Sequence, residues 1–148
     1  MNASLEEISH TRDEAAPGVN RPTILLLDDD SITLLVLRAI LERTTANILE
    51  CEHERCAVET CGQTSGIDLF VADVVLPASN GPAVVRKVKP LQPQMRLLFI
   101  SGFSLAELGK RGLLSKDEIF PGRVEFLQKP FSPDTFLATV EKLLNQNN

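Results

Sequence analysis

Short apolar runs alternate with longer amphipathic segments from Pro22 to the end of the chain. Continuous apolar runs of strand length are typical of strands covered on both faces, as in a parallel sheet. The pattern predicts strands over residues 23–27, 47–51, 69–74, 97–100 and 124–128.

Segments with helical spacing fill the gaps between these runs. Asp30 or Ser31 is expected to cap the first helix, and Ser132 the last one, which begins at Pro133. Gly62 is expected to end the second helix. The predicted helices cover residues 31 to about 44, 54 to about 61, 81 to about 88, 104 to about 109, and 133 to about 144.

Five strands alternating with helices predict an α/β fold built on a five-stranded parallel sheet. Right-handed crossovers leave few arrangements, and the strand order 2-1-3-4-5 with helices on both faces, the flavodoxin-like order, is expected. Residues 22–148 form this single domain, and residues 1–21 are expected to be a disordered polar tail. An extended loop is expected between Lys110 and Arg123, a segment with two glycines and a proline.

The composition and charge of the chain disfavour nucleic-acid binding, membrane insertion and secretion. The formal net charge is −5, the basic residues are scattered, and the chain has no Trp or Tyr, so nucleic-acid binding is disfavoured. No apolar run reaches the length of a membrane span, and the first residues lack the features of a signal peptide, so a cytoplasmic location is the default expectation. The three cysteines, Cys51, Cys56 and Cys61, are expected to be plain thiols rather than a disulfide framework.

Charged and hydroxyl side chains follow the predicted strands. Asp28, Asp29 and Asp30 follow the first strand, and Asp73 lies at the end of a central one. The carboxyl ends of parallel strands meet at one edge of the sheet, where ligands bind. At about 4 Å and an effective dielectric constant of about 20, each pair of carboxylates costs about 4 kcal/mol. A cation is needed to offset this repulsion, and Mg²⁺ prefers such oxygen ligands. A helix-capping cluster is the alternative, but capping does not require three acids.

Asp73 is the candidate nucleophile, because a carboxylate can attack a phosphoryl group and form an acyl phosphate. The charge on the phosphoryl oxygens must then be neutralised. Lys129, after the fifth strand, provides an ammonium, and Ser101, after the fourth, provides a hydroxyl. Taken singly, Ser101 is typical of a strand-end turn and Lys129 of a solvated surface. Their occurrence together and in this order favours a phosphoryl site.

The ordered set of motifs resembles the receiver domain of two-component response regulators over about residues 22–145. The matching pieces are Ile24-Leu25-Leu26-Leu27-Asp28-Asp29-Asp30, Asp73-Val74-Val75-Leu76-Pro77 with Asn80-Gly81, Ile100-Ser101-Gly102, and Lys129-Pro130-Phe131. The resemblance implies a signalling switch rather than an enzyme that turns over a separate substrate. Because no segment follows the last helix, a single-domain receiver is expected.

Specific roles follow from the resemblance. It implies that Asp73 accepts phosphate from a phosphohistidine on a histidine kinase or histidine phosphotransfer protein. Asp29, Asp73 and the backbone carbonyl of Val75 would bind Mg²⁺ directly, and Asp28 mainly through water. Ser101 and Phe126 would be the switch residues, and the Lys129–Pro130 bond is expected to be cis. The switched face would then contact a downstream protein target.

The first helix is unusually apolar, so part of its surface is left after one face packs on the sheet. In receivers this helix docks the histidine-bearing partner. Thr33, Val36 and Leu37, with Pro130, are therefore the expected partner contacts, and the alternative is a thick core helix with stray exposed leucines.

Two other functions fit parts of the pattern. A phosphatase of the haloacid dehalogenase type would use Asp28 as its nucleophile, but Ile32 stands where that family has Thr or Val, and the acidic pair expected after Lys129 is lacking. A receiver-like scaffold that is not phosphorylated would have no need of the charged and hydroxyl groups at the strand ends.

Overall fold

One parallel sheet with helices on both faces organises the chain. The computed structural model describes residues 21–145. Its strands are β1 (Thr23–Leu27), β2 (Asn47–Cys51), β3 (Leu69–Asp73), β4 (Arg96–Ser101) and β5 (Val124–Gln128), and its α-helices are α1 (Ser31–Leu41), α2 (Glu54–Gln63), α3 (Gly81–Val88), α4 (Leu105–Lys110) and α5 (Pro133–Leu144). The strand order is β2-β1-β3-β4-β5, and all neighbouring strands are parallel. The predicted fold class is confirmed.

Two hydrophobic layers, one on each face of the sheet, explain the continuous apolar runs. In β1, Leu25 and Leu27 pack in the layer under α2, α3 and α4, whereas Ile24 and Leu26 pack in the layer under α1 and α5. Alternate side chains of a strand point to opposite faces, so a strand covered twice must be apolar throughout. The layers cover both faces of the sheet, so its functional groups are expected at the ends of the strands.

Helix α2 does not end at Gly62 as the sequence predicted, but continues to Gln63. A glycine inside a helix costs only about 1 kcal/mol relative to alanine. Burial of Ala57 and Cys61 on the same helix outweighs that cost. The chain turns after the helix at Gly66, whose φ of 78° is the left-handed conformation that glycine adopts readily.

The segment between α4 and β5 is more ordered than the extended loop predicted from its glycines and proline. It contains a 3₁₀ turn over Lys116–Glu118, with a capping box between Ser115 and Glu118. Leu114 is buried against the layer that contains α4. Leu113 and Ile119 pack against the same layer, so apolar side chains anchor a segment whose composition alone indicated a loop.

Two of the three cysteines form a disulfide, which corrects the prediction of plain thiols. Cys51 ends β2 and Cys56 lies in the first turn of α2, and they are bonded with their Cα atoms 5.5 Å apart. The tight turn between strand and helix brings the pair into disulfide range, which sequence spacing does not reveal. Cys61 is a free, buried thiol.

Two expectations concern the ends of the chain and the membrane. The predicted polar tail, apart from Arg21, lies outside the described residues. Within residues 21–145, none of the helices has the length and apolar content needed to cross a bilayer.

Candidate functional site

The three consecutive acids after β1 occupy different environments. Asp28 is buried, and its Oδ1 accepts the Asp30 backbone N–H at 2.9 Å. Asp29 is exposed. Asp30 caps α1 by accepting the N–H of Ile32 and the hydroxyl of Thr33. Asp30 therefore caps α1, and Asp28 and Asp29 lie at the edge of the sheet without a capping role.

Asp73 ends β3, which lies between β1 and β4 at the centre of the sheet. Its side chain is largely buried, and its Oδ1 accepts the backbone N–H of Val75 at 3.2 Å. Because β1 and β3 are adjacent, their ends place Asp73 beside the first acids. The parallel register thus joins residues that are far apart in sequence.

Lys129 connects the acids of the two strands. Its Nζ lies 3.3 Å from Asp28 Oδ2 and 3.4 Å from Asp73 Oδ2. Its backbone N–H donates to the carbonyl oxygen of Ser101 at 2.7 Å, which fixes the end of β5 against the end of β4. The peptide bond from Lys129 to Pro130 is cis. The ammonium is thereby held over the acids.

Ser101 is fully buried at the end of β4. Its Oγ accepts the backbone N–H of Phe103 at 3.1 Å. The hydroxyl still has a proton to donate, because a hydroxyl is both donor and acceptor. Ser101 therefore lies at the same edge as Lys129, and its hydroxyl can donate one hydrogen bond to a ligand.

Asp28, Asp29 and Asp73 form a donor set for a divalent cation. One carboxylate oxygen from each lies within 4.8 Å of those of the other two. Three carboxylates with one exposed member suit Mg²⁺, which prefers oxygen ligands and retains several waters. The residues present therefore fit this ion.

Burial raises the pKa of the Asp73 carboxyl to about 6, and the charge of Asp28 adds to the shift while Lys129 opposes it. Burial also acts on Lys129, where it favours the neutral amine, but the charges of Asp73 and Asp28 outweigh it and raise the pKa of the ammonium. Lys129 therefore stays charged, and ionised Asp73 remains an unfavourable charge that a cation would stabilise.

The expected partner contacts on α1 do not share one face. Val36 is half exposed, at 51%, and Thr33 is partly buried. Leu37 is only 2% exposed and packs in the core, so its prediction as a partner contact was wrong. Helical periodicity puts Leu37 on the face of Leu34 and Leu41, towards the sheet.

The other predicted residues lie near the same edge or beside it. Pro130 is exposed, next to Lys129. Phe126 is half buried in β5, opposite Phe99 of β4, and packs against the core. Val75 is partly exposed in the loop after β3.

Gly81 is a site residue to which the sequence analysis assigned no role. A Cβ on Gly81 would lie 2.6 Å from the backbone oxygen of Asp73, and its N–H donates to the carbonyl oxygen of Val74 at 2.9 Å. Asn80 before it caps α3 by accepting the N–H of Ala83. The Asn80-Gly81 pair was visible in the sequence as a motif, but the close approach that requires glycine was not.

This fold and this cluster define the receiver class of signalling domains. The family described as the response regulator receiver domain matches residues 24–141, and the chain belongs to that family. The chain is thus homologous to signalling switches of two-component systems.

The named relatives include a protein of about the same length as this chain and a much longer protein. Chemotaxis protein CheY of Bacillus subtilis is 28% identical over 123 residues, which cover 82% of this chain and 97% of CheY. The autoinducer 1 sensor kinase/phosphatase LuxN of Vibrio harveyi is 29% identical over 138 residues, which cover 90% of this chain. The chain spans only 15% of the length of LuxN.

Solved structures agree with this assignment. A response regulator receiver protein from Sinorhizobium medicae has a TM-score of 0.70 and 28% identity, over 85% of this chain and 96% of that one. The receiver domain of the hybrid histidine kinase CckA has a TM-score of 0.67 and 25% identity, over 83% of this chain and 99% of that one.

Proposed function

We propose that this receiver accepts phosphate on Asp73 from a phosphohistidine of a histidine kinase or histidine phosphotransfer protein, in a two-component or phosphorelay pathway. The observation that carries the proposal is the position of the Lys129 ammonium, 3.4 Å from Asp73 and 3.3 Å from Asp28 within a cluster of acids. An ammonium and a cation site around one strand-end carboxylate are what phosphoryl transfer to that carboxylate requires.

In the transfer step, a carboxylate oxygen of Asp73 attacks phosphorus, the bond from phosphorus to the histidine nitrogen breaks, and its electron pair stays on the imidazole. The product on this chain is an acyl phosphate. Lys129 offsets negative charge on one phosphoryl oxygen, and Ser101 donates its hydroxyl to another. Asp28, Asp29, Asp73 and the Val75 carbonyl would hold Mg²⁺, which supplies further charge neutralisation when bound.

The phosphoryl group would change the surface through Ser101 and Phe126. New negative charge attracts the Ser101 hydroxyl, whose Oγ now accepts the N–H of Phe103, so the loop after β4 would shift. Phe126 lies on the neighbouring strand and is half buried, and its ring would turn inward in the switched state. A downstream protein would read the altered face.

The donor would dock beside the site. Thr33 and Val36 lie on α1, which Asp30 caps, and Pro130 follows Lys129. Val36 and Pro130 are exposed. We assign the chain to the cytoplasm, with protein partners rather than nucleic acid or membrane, and without turnover of a separate substrate.

The phosphatase alternative is less well supported. Its nucleophile would be Asp28, but that residue is only 1% exposed, against 8% for Asp73. Asp73 retains more exposure at the same edge. The geometry therefore favours Asp73 as the nucleophile.

Labelling by a small phosphoryl donor tests the proposal. The chain is incubated with phosphoramidate, with Mg²⁺ or with a chelator, and its intact mass is measured. We expect one phosphoryl group per chain with Mg²⁺ and little with chelator. A chain that remains unlabelled in millimolar Mg²⁺, or one labelled equally in chelator, would contradict the proposal.

A further inference from the structure

A disulfide lies directly beside the candidate phosphoryl site. Cys51 is the last residue of β2, and the bond to Cys56 ties it to the first turn of α2. The carbonyl oxygen of Cys51 accepts the backbone N–H of Asp28 at 3.2 Å. One hydrogen bond therefore separates the disulfide from an acid of the proposed metal site.

Contacts other than this disulfide also hold the two elements that it joins. β2 pairs with β1 along its whole length, and α2 is anchored by buried Ala57 and Cys61. The two cysteines are only five residues apart, and disulfides that close short loops constrain the unfolded chain least. We therefore expect the fold to persist when this disulfide is reduced.

The two sulfurs differ in accessibility. Cys51 is 3% exposed, whereas Cys56 is half buried and can be reached from solvent. The hydroxyl of Thr60 lies 3.5 Å from the Cys51 sulfur and 3.9 Å from the Cys56 sulfur. An external thiol or disulfide would thus meet Cys56 first, and Cys51 would be the resolving cysteine.

We propose that Cys51 and Cys56 are a reversible thiol–disulfide site for low-molecular-weight disulfides such as oxidised glutathione, and that the disulfide strengthens Mg²⁺ binding at Asp28, Asp29 and Asp73. The second part rests on the proposed function. Reversible disulfides of this kind in reducing compartments are usually regulatory.

The exchange balances without a further reactant. The Cys56 sulfur loses its proton and attacks oxidised glutathione, so that a mixed disulfide forms and one glutathione thiol leaves. The Cys51 sulfur then loses its proton and attacks the Cys56 sulfur, which releases the second glutathione thiol. Two electrons pass from the protein to oxidised glutathione, and two protons end on the two thiols released.

The coupling to the metal site runs through the backbone. The disulfide adds to the sheet pairing that positions Cys51, the Cys51 carbonyl oxygen accepts the Asp28 N–H, and the Asp28 carboxylate contacts Lys129. Reduction frees the turn between β2 and α2 and loosens the support of Asp28. A better-ordered donor binds a cation with a smaller loss of entropy, so the oxidised form should bind Mg²⁺ more tightly.

Cysteine alkylation tests the redox site without reference to phosphorylation. The full chain is equilibrated in buffers of defined glutathione ratio, quenched, denatured and alkylated. Because the chain has three cysteines, the expected count falls from three alkylated residues to one as the buffer becomes oxidising. Three alkylated cysteines at every ratio, or accumulation of a glutathione adduct in place of the internal disulfide, would overturn the proposal.

Two matched variants assign the roles of the two sulfurs. Cys51→Ser leaves half-buried Cys56 without a partner, and it should accumulate one glutathione per chain. Cys56→Ser leaves buried Cys51, and it should stay reduced under the same conditions. The reverse pattern would overturn the assignment of Cys56 as the attacking cysteine.

Calorimetric titration with Mg²⁺ tests the coupling. The oxidised chain should bind with a Kd about two- to fivefold lower than the reduced chain, an effect at the weak end of the coupling found between sites. Cys56→Ser should bind like the reduced chain with or without dithiothreitol. Equal Kd values for the two forms of the wild type would overturn the coupling.

The two proposals fail in distinguishable ways. If neither form binds Mg²⁺, the proposed function fails and the coupling fails with it, while alkylation still reports whether the disulfide is reversible. If both forms bind Mg²⁺ and accept phosphate with equal affinity and rate, only the coupling is overturned.

Discussion

Gly81 approaches Asp73 so closely that a Cβ at position 81 would lie 2.6 Å from the backbone oxygen of Asp73. Real Cβ atoms do not come this near to an oxygen, so any other residue at 81 must move either α3 or the end of β3. The glycine at the start of α3 therefore sets the position of the candidate phosphoacceptor.

Gly81→Ala is expected to destabilise the fold by about 1–3 kcal/mol, the usual cost of a forced shift in a packed region, and to slow labelling of Asp73. Urea unfolding and phosphoramidate labelling measure the two effects. Gly62→Ala is the matched control, because a Cβ there meets nothing within 4 Å inside a helix. That control should be neutral or stabilising by about 0.5–1 kcal/mol. Equal behaviour of the two variants would contradict the role of Gly81.

Neutralising Asp73 should stabilise the metal-free protein at neutral pH. Burial raises the folded pKa of Asp73 to about 6 from its ordinary value of 3.8. The folded state thus binds the proton more tightly than the unfolded state, and wild-type stability falls as pH rises from about 4 to about 6. A shift of this size corresponds to about 3 kcal/mol before solvent screening of the partly accessible carboxylate is allowed for. Asp73→Asn should therefore be more stable by about 2 kcal/mol at about pH 7, with a much smaller difference near pH 4.

Urea unfolding in chelator at the two pH values measures this difference. Asp30→Asn is the control, because Thr33 and Ile32 lower the pKa of Asp30 by hydrogen bonding and its charge is not a cost to the fold. That variant should gain no stability at neutral pH. An Asp73→Asn protein no more stable than the wild type at about pH 7 would show that Asp73 is not an unfavourable charge.

Mg²⁺ should stabilise the folded chain, and the exposed acid Asp29 should be needed for that effect. At a Mg²⁺ concentration of about 100 Kd, the stabilisation is about 2.7 kcal/mol. Asp29→Asn should raise the melting temperature in chelator, because it relieves repulsion, and should remove most of the rise that Mg²⁺ causes. Asp28 is less suitable for this test, because its carboxylate also accepts the Asp30 N–H and contacts Lys129.

Thermal melts with and without Mg²⁺ measure these effects. Glu59→Gln, on the exposed surface of α2, removes a charge away from the site and should leave the Mg²⁺ response intact. If Asp29→Asn responded to Mg²⁺ like the wild type, Asp29 would not be a ligand.

Variants at two neighbouring residues of α1 distinguish an effect on partner docking from an effect on folding. Val36→Glu should slow transfer from a phosphorylated histidine kinase that serves the wild type, without changing stability or labelling by phosphoramidate, because Val36 is half exposed. Leu37→Ala should cost about 2–5 kcal/mol of stability, because Leu37 is buried in the core. An unchanged rate of transfer to Val36→Glu would remove Val36 from the docking surface.

The sequence predicted best what depends on local pattern. The apolar runs located the strands because each strand is covered on both faces, and the polar residues that follow them marked one edge of the sheet. Asp73 and Lys129 lie close together because the carboxyl ends of parallel strands share one edge of the sheet. This proximity could therefore be predicted from the sequence.

Features that depend on three-dimensional proximity were missed. Leu37 was taken for a surface residue because α1 is apolar on more than one side, and only the packing on the sheet shows which side is buried. The Cys51–Cys56 bond depends on the turn between β2 and α2. The role of Gly81 depends on a close contact with the backbone of Asp73.

The most direct test of the account is the position of the phosphoryl group after Mg²⁺-dependent labelling with phosphoramidate. Peptide mapping of the labelled chain should find the phosphate on Asp73. Labelling should be lost in Asp73→Asn and retained in Asp30→Asn, which changes only the cap of α1. Phosphate on Asp28, or undiminished labelling of Asp73→Asn, would contradict the central claim that Asp73 is the phosphoacceptor.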